Sequence, residues 1–105
     1  MIKTPNGIFD IDLEDCWIRN HMASGRVFEH HIINDMLKPY VEKSKFIVDV
    51  GANIGCHAIS YAGFNTDSKI IAFEPNIDAF QKFNNTLEGD VERFKNINIF
   101  NYGLS

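Results

Sequence analysis

A short β-branched run is followed by two glycines four positions apart, and this combination limits the possible folds more than any other segment of the chain. The run Phe46–Val50 shows almost no alternation of apolar and polar residues, which is typical of a strand buried on both faces of a parallel sheet. Gly51 follows at once, and a helical pattern runs from about Ile54 to Gly63. Glycine at 51, and again at 55, lets the chain turn sharply and lets a ligand lie against the main chain. The segment therefore predicts a ligand-binding turn at a helix N-terminus.

Two more strands are predicted after this turn, the first of them buried. Lys69–Glu74 and Ile97–Tyr102 are both rich in β-branched and aromatic residues. A helix between them begins at Asn76 or Asp78 and ends at Gly89. Positions expected to face the sheet are Ala58, Ile59 and Ala62 in the first helix and Phe80, Phe83 and Leu87 in the second. With right-handed crossovers, this β-α-β-α-β order predicts a Rossmann-like α/β fold, a parallel sheet of about three strands with helices on its faces.

The first 45 residues predict a short β segment and a helix. The Asn6-Gly7 dipeptide is typical of a turn, Ile8–Ile11 could form a strand, and Pro5 favours an edge position. A helix is predicted over Arg26–Leu37, capped by Ser24, with Pro39 kinking or ending it and Tyr40–Glu42 as a last turn. Its apolar stripe would be Phe28, Ile32, Ile33, Met36 and Leu37. We interpret residues 1–105 as a single unit, with a lead-in over 1–45 and the α/β core over 46–105.

Composition narrows the function classes. The chain has 105 residues, 45% of them hydrophobic, and a net charge of -4, so one small core is expected. The basic residues are scattered, which argues against a nucleic-acid partner. No apolar stretch is long enough to span a membrane and no secretory signal follows Met1. Cys16 and Cys56 are expected to stay reduced in the cytoplasm rather than to form a disulfide.

An acidic residue after the second strand points to an adenosine ligand. Glu74 lies roughly twenty residues after the glycine turn, where a carboxylate can accept hydrogen bonds from both ribose hydroxyls. Asn53 stands where a dinucleotide loop would have its second glycine, and Cys56 follows Gly55 where a Walker loop would have lysine. A ligand without phosphates, such as S-adenosylmethionine, therefore fits better than a nicotinamide cofactor.

These residues resemble a known family. Val48–Gly55, reading VDVGANIG, together with Ala72–Asn76, reading AFEPN, is similar to the class I methyltransferases of the FkbM type. The resemblance covers nearly the whole chain, with Gly103 where alanine is more usual. It implies an O-methyltransferase that uses S-adenosylmethionine and transfers its methyl group to a hydroxyl of a small molecule or sugar. It identifies no catalytic base.

The same resemblance implies a set of cofactor contacts. Asp49, Gly51 and Asn53 would line the methionine side. Glu74 would hold the ribose, with Pro75 and Asn76 beside the adenine, which the segment 103–105 would also approach. The full set is Asp49, Gly51, Ala52, Asn53, Ile54, Gly55, Glu74, Pro75, Asn76 and Leu104.

The family's fold also implies further strands that this sequence does not contain. The strand at 46–50 would then have an open edge, a site for association. We therefore expect a fragment, or a homodimer through that edge, with weak or absent methyl transfer by this chain alone. The alternative is a non-catalytic adenosine-binding or assembly module.

Several residues have simpler interpretations that stay open. Glu74 could cap the following helix, and Asn53 could merely adopt a left-handed turn. His30 and His31 point to different helix faces, so no metal site is predicted. Glu29 is explained by the helix dipole, although the family pattern places it near the methionine amino group. We expect Trp17 and Phe28 in the core, Cys56 buried and His57 at the surface.

Overall fold

A computed structural model describes residues 2–5, 7–9 and 31–103. The strands and helices in chain order are β1 Ile2–Thr4, β2 Gly7–Phe9, α1 Ile32–Leu37, α2 Lys38–Lys43, β3 Phe46–Val50, α3 Cys56–Phe64, β4 Lys69–Phe73, α4 Ile77–Glu88 and β5 Ile97–Phe100. The β-α-β-α-β order is confirmed, with the last strand two residues shorter than predicted.

The central sheet is parallel and has the order β3-β4-β5. Val48 is in register with Ile71, which is in register with Asn98. All three strands run in one direction, so their carboxyl ends meet at one edge of the sheet. This confirms the predicted α/β fold and places the loops after β3 and β4 side by side.

The core lies between this sheet and the two long helices. Ile70 and Ala72 of β4 are fully buried against a cluster that includes Ile59 of α3 and Phe83 of α4. Ala58 and Ala62 are also buried as predicted. Leu87 packs at the margin of the cluster, whereas Phe80 is only half-buried.

The other side of the sheet corrects one prediction. Phe46, Val48 and Val50 point away from the core, and each is more than half exposed. The predicted burial of β3 on both faces is therefore wrong for the described residues, and the helices lie on one face only. Both crossovers step in the same direction, from β3 to β4 to β5, so their shared handedness puts α3 and α4 on the same side. We call Phe46, Val48, Val50 and Phe100 the open face.

The lead-in differs from its prediction in detail. β1 and β2 form an antiparallel pair in which Thr4 is in register with Gly7, and Phe9 is fully buried. Pro39 does not end the helix. Instead, the π-helical hydrogen bonding of α1 gives way to the α-helical bonding of α2 at this point. A wider turn before proline avoids the clash between its ring and a preceding carbonyl. Because the turn is wider, the period of 3.6 residues fails and Met36 is 64% exposed.

Some expectations concern residues outside the described ranges. They are the strand end at Ile11, the cap at Ser24, the helix start at 26–30, and the roles of Cys16, Trp17, Phe28, Glu29, His30 and Leu104. Within the described ranges, no helix combines the length and apolar character that crossing a membrane requires.

Candidate functional site

The loop after β3 is held in a left-handed turn by β4. Gly51, Asn53 and Gly55 all have positive φ, at 75°, 55° and 96°. The backbone N–H groups of Gly51 and Ala52 both donate to the carbonyl oxygen of Phe73, at 2.9 and 3.0 Å. Asparagine tolerates the left-handed region better than most residues, so the open interpretation of Asn53 as a turn residue is confirmed by its φ.

The two glycines of the motif serve different purposes. A Cβ placed on Gly51 would meet no atom within 4 Å, whereas a Cβ on Gly55 would lie 2.5 Å from the ring of Phe83. Gly51 therefore leaves the backbone open on its cleft side. Gly55 makes room for a core side chain, a reason for glycine that the sequence did not reveal.

The carboxylate of Glu74 joins the two loops at the end of the sheet. Its Oε1 accepts from the backbone N–H of Asn53 at 2.7 Å, and its Oε2 accepts from that of Asn76 at 2.8 Å. The side chain is 8% exposed. Each carboxylate oxygen can accept more than one hydrogen bond, so both retain capacity for a ligand donor.

The cap of α4 is Asn76 rather than Glu74. The Oδ1 atom of Asn76 accepts from the backbone N–H groups of Asp78 and Ala79, at 3.0 and 3.1 Å. This arrangement satisfies two N-terminal donors of the helix. Glu74 is thereby left to face the cleft.

A cleft of about 460 Å³ opens between these loops, within the usual range for small-molecule sites. Its lining comprises Gly51, Asn53, Ile54, Glu74, Asn76, Asp78, Ala79 and Lys82. Five of these were predicted. Ala52, Gly55, Pro75 and Asp49 are not among the lining residues, and Ala52 is buried in the core.

Three lining residues were not predicted as site residues from the sequence: Asp78, Ala79 and Lys82. They lie on the first two turns of α4, and the spacing of 78 and 82 puts both on one helix face. That spacing, starting directly after the Asn76 cap, was the available signal. Which face turns toward the cleft depends on how α4 packs.

Asp49 combines burial with an unsatisfied oxygen. Its Oδ2 is buried and has no hydrogen-bond partner. Desolvation raises the pKa of this carboxyl above 3.8. The charge of His57 and a hydrogen bond from the backbone of Ala58 oppose that rise, and the charge of Glu74 adds to it. A buried acceptor without a donor is an unusual feature that marks a candidate ligand site.

The remaining histidine and cysteine near the loop have structural partners. His57 Nδ1 lies 2.9 Å from the hydroxyl of Tyr61, with the rings edge to face, and Cys56 is buried. In the ranges 2–5, 7–9 and 31–103, no group of histidine, cysteine and carboxylate side chains could hold a metal ion.

Comparison with known proteins identifies the fold. No protein-family model and no curated protein matches the chain. Among solved structures, it is similar to a putative caffeoyl-CoA O-methyltransferase from Staphylococcus aureus, with a TM-score of 0.64, 16% identity and coverage of 86% of this chain and 44% of that one. A methyltransferase from Geobacter sulfurreducens gives a TM-score of 0.57 at 12% identity, covering 86% and 49%.

A third match is P. horikoshii TYW2 in complex with MeSAdo, with a TM-score of 0.53, 18% identity and coverage of 76% and 30%. The chain thus spans less than half the length of each of these three structures. The described residues have a Rossmann-like α/β fold similar to that of these three structures.

Proposed function

We propose that this chain forms the cofactor-binding part of an S-adenosylmethionine-dependent methyltransferase. The observation that carries the proposal is the carboxylate of Glu74, which lies in one cleft with the open backbone of Gly51. An acid at the end of the second strand opposite a glycine turn is suited to a ribose and the chain attached to it. Support also comes from TYW2, which has a similar fold and whose structure contains MeSAdo.

The residues present fit S-adenosylmethionine. The free acceptor capacity of Glu74 suits the two ribose hydroxyls, and Gly51 leaves the main chain open to the methionine portion. The unpaired Oδ2 of Asp49 is a suitable acceptor for the ammonium group. Asn76 and the first turn of α4 would border the adenine side, with Pro75 beside them.

In this proposal the reaction is O-methylation of a hydroxyl on a small molecule or sugar, in the manner of FkbM-type enzymes in the cytoplasm. S-adenosylmethionine supplies an activated methyl group on its sulfonium. The chain's own residues bind and orient this cofactor, and positioning of the two reactants is a major source of rate in such transfers. Acceptor binding and removal of the hydroxyl proton are assigned to no residue of this chain.

A second candidate is a binding module that holds the cofactor without catalysing transfer. It is favoured by the open face of the sheet, whose apolar side chains are exposed. Incubation with labelled S-adenosylmethionine and a panel of hydroxyl acceptors separates the candidates. Methyl transfer by the chain alone supports the enzyme, and binding without transfer supports the module.

Isothermal titration calorimetry tests the cofactor proposal directly. We expect saturable 1:1 binding of S-adenosylmethionine and S-adenosylhomocysteine. We expect no comparable binding of NADH or ATP, because Asn53 and Cys56 stand where the phosphate-binding loops have glycine and lysine. Folding is checked by circular dichroism in the same buffer. Folded protein that binds neither adenosine ligand at millimolar concentration would refute the proposal.

Replacing Asp49 by asparagine should separate stability from binding. Burial raises the folded-state pKa of Asp49. The Asp49 carboxyl therefore contributes stability below pH 3.8, and this contribution is lost as pH rises through the raised pKa. Asp49→Asn has no charge to desolvate, so its free energy of unfolding relative to the wild type should increase with pH. Affinity for S-adenosylmethionine should fall about tenfold or more through loss of a charge-assisted bond to the ammonium.

Urea unfolding from pH 4 to 8 and calorimetry measure the two effects. Asp67→Asn is the matched control, because Asp67 is exposed on the turn before β4. Identical pH profiles for Asp49→Asn and the wild type would show that burial of the Asp49 carboxylate does not lower the free energy of unfolding.

We also propose that the chain forms a homodimer through the β3 edge and the open face. β3 lies at one edge of the described sheet, and its outward side chains Phe46, Val48 and Val50 are each more than half exposed. An exposed apolar edge strand favours pairing with a second copy. Val48 is at the centre of this surface and 52% exposed. We expect Val48→Lys to be monomeric in analytical ultracentrifugation while the wild type is dimeric. Val91→Lys places a charge at another exposed valine and should stay dimeric. A wild type that is monomeric at about 100 µM, a concentration at which weak interfaces form, would contradict the proposal.

A further inference from the structure

Asn101 holds the peptide that carries Glu74. It follows the last residue of β5, and its Nδ2 donates to the carbonyl oxygens of Glu74 at 3.0 Å and Pro75 at 3.2 Å. The backbone N–H of Glu74 in turn donates to the carbonyl oxygen of Phe100 at 3.0 Å. Both polar groups of the Glu74 main chain are thus bonded to the end of β5.

These bonds matter because β4 ends at Phe73. Beyond this residue the strand ladder no longer fixes the chain, and Pro75 has no N–H to contribute. The Glu74 carboxylate is aligned by the N–H groups of Asn53 and Asn76. That alignment requires the peptides of Glu74 and Pro75 to stay in place.

We propose that Asn101 is a positioning residue that sets the orientation of the Glu74 carboxylate in the cleft. It acts on a ligand only through Glu74. The expected effect of Asn101 on ligand affinity rests on the proposed function. Its expected effect on the hydrogen bonds from the backbone N–H groups of Asn53 and Asn76 to Glu74 does not.

The chain offers a matched control at the other end of the same strand. Nδ2 of Asn96, which precedes β5, donates to the carbonyl oxygens of Asn65 at 3.3 Å and Ser68 at 3.0 Å. Asn101→Asp and Asn96→Asp make the same change, because each replaces an amide donor to two carbonyls with a carboxylate that can only accept. They differ in their distance from the Glu74 peptide along the strand.

Hydrogen exchange by NMR tests positioning without any ligand. In Asn101→Asp, the exchange rate of the backbone N–H groups of Asn53 and Asn76, divided by that of the backbone N–H groups of α3, should be about tenfold higher than in the wild type. This is the change expected for loss of one or two hydrogen bonds. In Asn96→Asp the same ratio should stay within about twofold of the wild type. Asn101→Gln keeps an amide donor and should restore part of the protection. If Asn101→Asp does not fold, the exchange rates are measured in Asn101→Gln instead.

Calorimetry completes the test. We expect the Kd for S-adenosylhomocysteine to rise about tenfold in Asn101→Asp and to stay unchanged in Asn96→Asp. Equal exchange in the two aspartate variants, or an unchanged Kd in Asn101→Asp when the wild type binds, would overturn the positioning role. A wild type that does not bind, combined with selectively faster exchange in Asn101→Asp, would refute the cofactor proposal and leave the positioning role supported.

Discussion

Replacing Gly55 by alanine is expected to lower the free energy of unfolding by about 2–5 kcal/mol. Two effects combine at this position. The φ of 96° is a left-handed conformation, which costs a residue with a Cβ about 1–2 kcal/mol. The new methyl would also lie 2.5 Å from the fully buried ring of Phe83, and such overpacking costs about 1–3 kcal/mol. A small domain has only about 5–15 kcal/mol in total, so this variant should be near the limit of folding.

Two other glycines separate the effects. Gly51→Ala has the same kind of φ but open space around the methyl, so it should cost only about 1–2 kcal/mol while blocking the cleft side of the turn. Gly63→Ala, inside α3 with open space, should be stabilising by up to about 1 kcal/mol. Thermal and urea unfolding of the three variants rank them. If Gly55→Ala is no less stable than Gly51→Ala, the contact with Phe83 does not constrain the loop.

Replacing Glu74 by glutamine is expected to weaken binding of S-adenosylmethionine on the order of 100-fold, because bonds to a charged acceptor contribute about 1.5–3 kcal/mol each. Glutamine has one acceptor oxygen where Glu74 has two. Its amide nitrogen must face the backbone N–H of either Asn53 or Asn76. The variant should therefore also lose about 1–3 kcal/mol of stability.

Calorimetry is run well below the melting temperature of the variant, with the folded fraction measured by circular dichroism. Glu88→Gln is the matched control, since it removes one exposed carboxylate that also accepts from an amide, that of Asn84 at 3.0 Å. Glu88→Gln should bind like the wild type. Wild-type affinity in folded Glu74→Gln would remove the central support for an adenosine site.

Much of the fold follows from local patterns. The strands at Phe46, Lys69 and Ile97 and the cap at Asn76 depend on residue types close together in sequence, so propensity and periodicity locate them. The same holds for the glycine turn and for the acid after β4. Prediction failed where a local pattern was altered by its surroundings, as at Met36, whose helix is widened before Pro39.

The amino-acid sequence was enough to predict the order of the strands and helices, a sharp turn at Gly51 and the position of Glu74 at the end of a strand. Three contacts became apparent only in the folded chain: Gly55 makes room for Phe83, Lys82 lines the cleft and Asn101 holds the Glu74 peptide. The two groups of features differ in how far apart in sequence the interacting residues lie. Turn and strand preferences arise from the steric limits of neighbouring residues, whereas these contacts join segments that meet only when α4 and β5 pack against the sheet. The open face is likewise a consequence of crossover direction, which sets a side for both helices at once.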